Sequence, residues 1–423
     1  MARERRDNKK RILNKGEYQN EDGRYMYRYK DVNGKTRYVY SWTLTKSDRT
    51  PKGRPTGKCL RDLEKEIEID LVEEIDSYAT NRETLNDCFD RYMERKRKLK
   101  ESTKSVYLDN YGRYVRSKIG NRLIAEIKYS DIYSYYDDLI TKDGLNPSTV
   151  KNIQTLLNPV FRVAVRDRII RSNPCTGIIS ELCKEHGWSQ PKRHALTRSQ
   201  QKAFLDYIKD HGAFCRWYNL MVFLLGTGCR IGEALGITWS DCDFENGVIH
   251  INHTLCIKRS KSKEGGAFYI STPKTEAGVR DIPMFEAVRK ALFEERKKHL
   301  KEGLSSTSIE GYTGFVFLGC HGNPIFQNSV NAAILRIVEN YNKQEAVLSD
   351  EQDREPIFLP RFSVHTLRHT FCTRLCETET NIKVIQEIMG HASISITMDI
   401  YNEATLEQKK MSFEIIENKM MIC

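Results

Sequence analysis

Residues 361–401 read RFSVHTLRHTFCTRLCETETNIKVIQEIMGHASISITMDIY, and this stretch concentrates chemically capable side chains at helical spacing. His365 and Arg368 are three residues apart. With Ser363 capping a helix that begins there, both project from one face of its first turn. The open backbone donors and positive dipole end of such a turn favour an anion, and Arg368 adds a planar fork of donors matched to phosphate oxygens. A second helix is predicted from about Asn381 to Met389, with Ile382, Ile385, Ile388 and Met389 as its apolar face and Gly390 as its stop. The glycine delivers His391 directly after the helix end. Further on stands Tyr401, behind a short segment whose apolar anchors are Ile394, Ile396 and Ile400. A phenol fixed on a packed element can serve as a covalent nucleophile.

Singly, none of these features is specific. An isolated H-x-x-R arises by chance, a histidine after a helix-ending glycine can simply cap, and the chain has 21 tyrosines. The combination carries more weight once two upstream motifs join it. GTGCRIGEALGITW (226–239) puts Arg230 just after a tight Gly-Thr-Gly turn at a helix start, and TPKTEAGVRDIPM (272–284) puts Lys274 in a turn between two predicted strands. The order Arg230, Lys274, His365, Arg368, His391, Tyr401 in these contexts resembles the catalytic domain of the tyrosine recombinases, the family of phage lambda integrase. The stretch RRDNKKRILNKGEYQNEDGRYMYRYKDVNGKTRYVYSW (5–42) resembles, more narrowly, the integrases of conjugative transposons. Two departures from the family pattern are visible. Met389 stands where leucine is common, and Asn402-Glu403 follows the tyrosine where a histidine is often found two residues on.

At 423 residues the chain exceeds one ordinary core, so two or three domains are expected. With 39% hydrophobic and 30% charged residues it reads as soluble and globular. The longest apolar patch, WYNLMVFLLG from Trp217, is too short for a membrane span and suits a buried core helix. The beginning, MARERRDNKK, lacks an apolar signal core, which gives the expectation of a cytoplasmic protein without membrane partners. Twelve cysteines lie scattered without C-x-x-C pairs, so reduced thiols are expected. His365, His369, Cys372 and Cys376 form a stripe on one predicted helix. Four ligands along one straight helix cannot surround a tetrahedral ion, and Thr366 occupies the glutamate place of H-E-x-x-H, so no metal is expected.

The formal charge of +11 is uneven: residues 1–60 hold 17 Lys/Arg against 7 Asp/Glu, nearly the whole excess. Such a field points to a polyanion, where a featureless basic run would be a solvated tail. Tyr25, Tyr27 and Tyr29 alternate with Met26 and Arg28, followed by Asn33-Gly34 and then Arg37, Tyr38, Val39 and Tyr40, a strong hairpin signal. The segment from Leu60 to about Tyr78 has a helical stripe of Leu60, Leu63, Ile67, Leu71 and Ile75 that can close over the sheet. The other face suits a ribbon in a DNA groove with Arg24, Arg28, Lys35 and Arg37 near phosphates or base edges, or an aromatic ladder that only stabilises the sheet.

Helical patterns follow from Thr84 and at about 103–117, 130–141 and 147–167, a domain of about four helices. Its basic positions, including Lys96, Lys98, Lys104 and Lys151, give it phosphate-binding capacity. RSNPCTGI with Pro174 ends it, and KEHGWSQPKRHA (184–195) reads as a hinge. The next helix opens with a capping box at Thr197 and Gln200. From Leu196 on, the pattern is helical except for strands near Gly247–Cys256, Ala267–Thr272 and Val279–Met284, and the polar segment from about Lys343 to Glu355 reads as an exposed loop. The fold class is therefore α+β, mostly helical. The expected division is 1–78 as an N-terminal arm-type DNA-binding domain, 79–182 as a helical core-binding domain, 183–195 as linker and 196–423 as the catalytic domain with a tail helix.

A tyrosine with two arginines, two histidines and a lysine fits metal-free phosphoryl transfer. Arg230 and Arg368 can clamp the charge gathering on the phosphate, and a phosphotyrosine ester conserves the bond energy, so no cofactor is needed. Glu233, on the same helix face as Arg230, reads as a structural buttress. The resemblance implies that Tyr401 attacks, Lys274 is the general acid, His365 assists proton transfer and His391 hydrogen-bonds the phosphate, with the proton of each histidine left open. It also implies a homotetramer on double-stranded DNA at core and arm-type sites, an accessory directionality factor, work at the bacterial nucleoid, and a tail, Leu406–Cys423, that packs on a neighbouring protomer. The alternative for the tail is docking on its own domain. Two rival functions share these features: a type IB topoisomerase-like enzyme, against which the extra basic hairpin argues, and a catalytically silent DNA-binding regulator, against which the six filled positions argue.

Overall fold

A computed structural model describes residues 5–76, 82–188, 194–258, 267–273, 276–303, 305–319, 322–379, 381–395 and 397–402. The chain divides into two compact units, 1–190 and 191–423.

The first unit opens with an antiparallel sheet of β1 (Glu17–Gln19), β2 (Tyr25–Lys30) and β3 (Thr36–Ser41), in that order. The loop joining β2 to β3 is held by Asp31, whose carboxylate accepts from the backbone of Asn33 and Lys35, while Gly34 takes the left-handed conformation. Register pairs Tyr29 with Arg37, Tyr27 with Val39 and Arg28 with Tyr38. Odd-numbered side chains of both strands therefore share one face, and even-numbered ones the other. Helix α1 (Leu60–Val72) covers the odd face, and Tyr25, Leu44 and Leu60 are buried there. Arg61 of α1 donates to the fully buried Glu17 of β1 at 3.0 Å, tying the helix to the sheet edge.

The rest of this unit is helical: α2 (Leu85–Arg95), α3 (Glu101–Asn110), α4 (Tyr129–Thr141), α5 (Pro147–Arg166) and α6 (Ile178–Glu185). Thr84 and Asp87 cap α2 reciprocally, and Asn146 caps α5 with Pro147 as its first residue, both strong start signals. Among the described residues these are five helices where about four were expected. The added one, α6, starts within the stretch after Pro174 and takes Cys183, Lys184 and Glu185 out of the expected linker. Its cause is apolar: Ile178 and Leu182 are fully buried in the same core as Phe89, Tyr111 and Phe161.

The second unit begins where the Leu196 N–H donates to Thr370 at 3.0 Å. Helix α7 (Arg198–Asp210) opens with the expected box, the Gln200 N–H donating to the Thr197 hydroxyl and the Thr197 N–H to the Gln200 side chain. Helix α8 (Tyr218–Thr227) is apolar all round and central to the core, with Leu220, Met221, Phe223 and Leu224 buried. Then come α9 (Ile231–Gly236), β4 (Cys242–Asp243), β5 (Val248–Ile251), β6 (Thr254–Lys258), β7 (Ala267–Ser271), β8 (Arg280–Pro283), α10 (Glu286–Glu302), β9 (Ser308–Ile309), β10 (Tyr312–Thr313), α11 (Gln327–Glu351), α12 (Val364–Thr378) and α13 (Ile382–Met389). The strands form small antiparallel sheets, β4-β5-β8, β6-β7 and β9-β10.

The expected loop at 343–355 is corrected here, because α11 runs on to Glu351. Its polar residues are not all solvated: Glu345 is buried, pairs with both guanidinium ends of Arg354 and accepts from the Ile357 N–H at 2.9 Å. Asn342 likewise clamps the Leu359 backbone through its amide. Ile394, expected as an apolar anchor, is 48% exposed, whereas Ile400 packs with the Phe371 cluster. Ile396 and the tail from Leu406 lie outside the described residues. The described cysteines are unpaired, and no helix among the described residues is long and apolar enough to cross a membrane.

Candidate functional site

Two helix ends and one strand start build the site. Helix α8 stops at Gly228, whose φ of +61° is left-handed, and the chain turns at once into α9 with Arg230 at its N-cap. A side chain on Gly228 would meet the Phe371 ring at 2.3 Å, so only glycine lets this turn sit against α12. Helix α13 is capped by Asn381 and stops, as expected, at Gly390, also left-handed at +62°. A Cβ there would approach the Ala277 carbonyl and the Arg280 side chain to about 3 Å.

Two arginines tie these turns together. Arg230 donates to the Gly390 carbonyl at 3.1 Å, while buried Arg368 on α12 donates to the Gly228 carbonyl at 2.6 Å and to the Met389 carbonyl. Arg230 thus satisfies a carbonyl at the opposite turn, and Arg368, which belongs to neither turn, satisfies a helix-end carbonyl at both. Glu233, one turn into α9, accepts from the Arg230 backbone N–H at 2.9 Å and from its guanidinium at 2.7 Å, which makes it the buttress its spacing predicted. Burial works against the Glu233 charge, but Arg280 and Arg230 outweigh it and hold its carboxyl below the usual range.

Three arginines, Arg230, Arg280 and Arg368, face one carboxylate. The cluster therefore has an excess of positive charge, and burial together with repulsion from Arg230 pushes Arg368 down to about 10, still a cation at neutral pH. An anion placed here would relieve that repulsion. Arg230 is the accessible member, with 46% of its side chain exposed.

His391 is buried next to this cluster, its Nδ1 2.9 Å from the hydroxyl of the fully buried Thr397. Burial first, then Arg368, Arg230, Arg280 and His365, push it down to about 4, so the ring is neutral at pH 7 and carries one N–H. His365 is exposed on the first turn of α12, from which Arg368 points inward. The anion-attracting character of that helix start is partly used internally, because the Val364 N–H donates to Asn331 of α11 at 3.0 Å. Tyr401 is half-buried and packs with Ile400 against Phe371, Cys372, Cys376, Ile385 and Met389, the cluster that joins α12 to α13. Arg230, His365, Arg368, His391 and Tyr401 thus belong to one connected set of segments. Lys274 lies outside the described residues. Cys372 and Cys376 are buried in apolar packing while His365 is exposed, so that stripe does not converge on an ion.

The other basic residues sit in the first unit. Arg28 is exposed on the even face of the sheet, opposite α1, and its guanidinium lies over Tyr18. Arg24 stacks on Tyr40 and Trp42, and Arg54 also covers Trp42. Lys35 is exposed in the β2–β3 loop. Arg37 does not join them: it shares the odd face with Tyr29 and donates to the buried Asp31 at 2.8 Å. Lys96, Lys98 and Lys104 are exposed around the α2–α3 junction, and Lys151 is half-buried on α5.

Sequence reasoning missed Arg280, Thr397 and the backbone carbonyls that hold the arginines. Only Arg280 left a trace, as a lone cation opening a short apolar strand.

Residues 194–408 match the phage integrase family, and residues 1–71 match the DNA binding domain of the Tn916 integrase. The transposase of transposon Tn1545 from Streptococcus agalactiae is 33% identical over 407 residues, covering 96% of this chain and 95% of that protein. The transposase of transposon Tn916 from Enterococcus faecalis is 32% identical over the same shares. Among solved structures, the integrase of transposon Tn1549 in complex with a circular intermediate DNA superposes with a TM-score of 0.67. It is 30% identical, and the match covers 78% of this chain and all of that one.

Proposed function

The chain belongs to the phage integrase family of tyrosine recombinases and is a site-specific recombinase of the conjugative-transposon type, and from that premise we propose how its residues divide the work. Tyr401 attacks the scissile phosphorus, the bond to the 5′ oxygen breaks, and a 3′-phosphotyrosine ester forms. The 5′ hydroxyl of a partner strand then attacks that ester and releases the tyrosine. The ester conserves the bond energy, so rejoining needs no nucleotide cofactor. Arg230 and Arg368 clamp the non-bridging oxygens, Lys274 protonates the leaving oxygen, His365 handles the tyrosine proton, and neutral His391 donates one hydrogen bond to the phosphate.

The observation that carries this reading is the bridging of the turns at Gly228 and Gly390 by Arg230 and Arg368, which fixes two guanidinia and His391 in one unit with surplus positive charge. The test is a substrate carrying two recombination sites, incubated in EDTA. Recombinant product and a covalent adduct mapping to one tyrosyl peptide are expected. A strict need for Mg²⁺, or relaxation of any supercoiled plasmid without recombination, overturns it.

In this reading the protein works in the bacterial cytoplasm at the nucleoid, four protomers acting on two duplexes, with an accessory factor setting direction. Residues 79–182 and the catalytic domain grip the core site while residues 1–78 take the arm-type site. The even face of the N-terminal sheet supports the latter, because Arg24, Arg28 and Arg54 stack on Tyr18, Tyr40 and Trp42 and are thereby held outward. A fragment of residues 1–78 is expected to bind duplex DNA with affinity falling steeply as salt rises. In a gel-shift titration Arg28→Ala should weaken it more than Arg37→Ala, since Arg37 is spent on Asp31. A folded fragment that ignores DNA refutes the assignment.

A further inference from the structure

Arg280 opens β8 and is buried, with 5% of its side chain exposed. Its three nitrogens address three different segments of the site. Nε donates to the Ile388 carbonyl at 2.8 Å, in the last turn before Gly390 and His391. One terminal nitrogen donates to the Gly278 carbonyl at 3.2 Å, and the other to Glu233 Oε2 at 2.9 Å.

The last contact bears on Arg230. Glu233 Oε1 receives the Arg230 guanidinium at 2.7 Å, and Oε2 receives Arg280 together with the Arg230 backbone N–H. A buried carboxylate with only one cationic partner would draw that partner into a two-bond fork, because its second oxygen would otherwise lack a charged donor. Arg280 fills that second oxygen. Arg230 therefore holds Glu233 through one nitrogen and Gly390 through another, and 46% of its side chain stays open on the accessible side.

We propose that Arg280 is a positioning residue for DNA cleavage: through Glu233 it keeps the Arg230 fork turned toward the scissile phosphate, and through Ile388 it holds the turn that presents His391. This rests on the reading of Arg230 as a clamp on phosphate charge. The plain alternative is a buried ion pair that only stabilises the fold.

The two are separated by a substrate in which a methyl group replaces one non-bridging oxygen of the scissile phosphate. That phosphonate is uncharged and gathers less negative charge under attack, so it depends less on the clamp. Arg280→Lys keeps a positive charge but cannot reach three acceptors at fixed angles. On ordinary DNA its single-turnover cleavage should fall about tenfold or more with half-site affinity little changed. On the phosphonate it should come within about threefold of the unsubstituted protein, as a clamp defect requires. Glu233→Gln combined with Arg280→Met removes both buried charges together, guards against simple unfolding, and should show the same pattern. Arg230→Ala is the reference. If it is not restored on the phosphonate, the clamp is wrong and the proposal falls with it. If it is restored while Arg280→Lys is equally slow on both substrates, or is not slow at all, Arg280 has no positioning role.

Discussion

Tyr401→Phe is expected to form no covalent adduct with a nicked half-site in EDTA while shifting that DNA in a gel as before. The ring of Tyr401 packs with Ile400 against Phe371, Cys372, Cys376, Ile385 and Met389, and phenylalanine preserves that packing. Only the hydroxyl is lost, so folding and DNA affinity should stay close to normal while the chemical step loses its nucleophile outright. His391 is buried and neutral, and the arginines beside it are cations without a lone pair to offer. The chain has 20 further tyrosines besides this one. An adduct that survives the substitution would therefore be mapped by peptide mass spectrometry. Finding it on another tyrosine, at a rate near that of the unsubstituted protein, sinks the assignment.

The local parts of this site were legible in the sequence because their signals are local. Asn381 before an apolar run, Gly390 after it, and the Thr197–Gln200 box each specify a helix end through contacts within four residues. The segments that carry Arg230, Arg368 and His391 were readable in the same way. Arg280 was not, because its acceptors at Glu233 and Ile388 lie 47 and 108 positions away and only the tertiary fold brings them to one guanidinium. The same cause explains the helical continuation of α11 past Lys343: a polar run reads as loop until it is known that Arg354 satisfies Glu345. In the N-terminal sheet, period-two alternation separated the tyrosines of β2 from Arg28 correctly. It could not say that register would set Arg37 opposite Tyr29, beside Asp31 and on the face that α1 covers. Ile394 failed differently, since an isoleucine in a short amphipathic segment is scored as buried by type alone, and here it faces solvent.

Replacing either member of the arginine pair is expected to slow cleavage on the order of a hundred-fold or more, since each supplies charge-assisted donors to a phosphate whose charge grows in the transition state. The two substitutions should nevertheless differ in kind. Arg230 is 46% exposed, and buried Glu233 keeps Arg280 as its partner when Arg230 is removed, so Arg230→Ala should lose rate while binding and thermal stability change little. Arg230→Lys should be nearly as slow, because a point charge cannot present a fork. Arg368 is 4% exposed and donates to the carbonyls of Gly228 and Met389. Arg368→Ala orphans both, at about 1–3 kcal/mol for each carbonyl that finds no water, and loosens the two turns that hold Arg230 and His391. Its rate loss should therefore be the larger and should come with a lowered melting temperature. Removing Arg368 also takes away the charge that, after burial, most depresses the basicity of His391. The histidine should then protonate at higher pH than about 4, so the pH profiles of cleavage by Arg368→Ala and Arg230→Ala should separate on acidification. Single-turnover cleavage of a half-site between pH 5 and 8, run beside thermal melts of both variants, checks all three expectations. Near-normal cleavage by either alanine variant, or equal melting temperatures for the two, would count against the division of labour drawn from their burial.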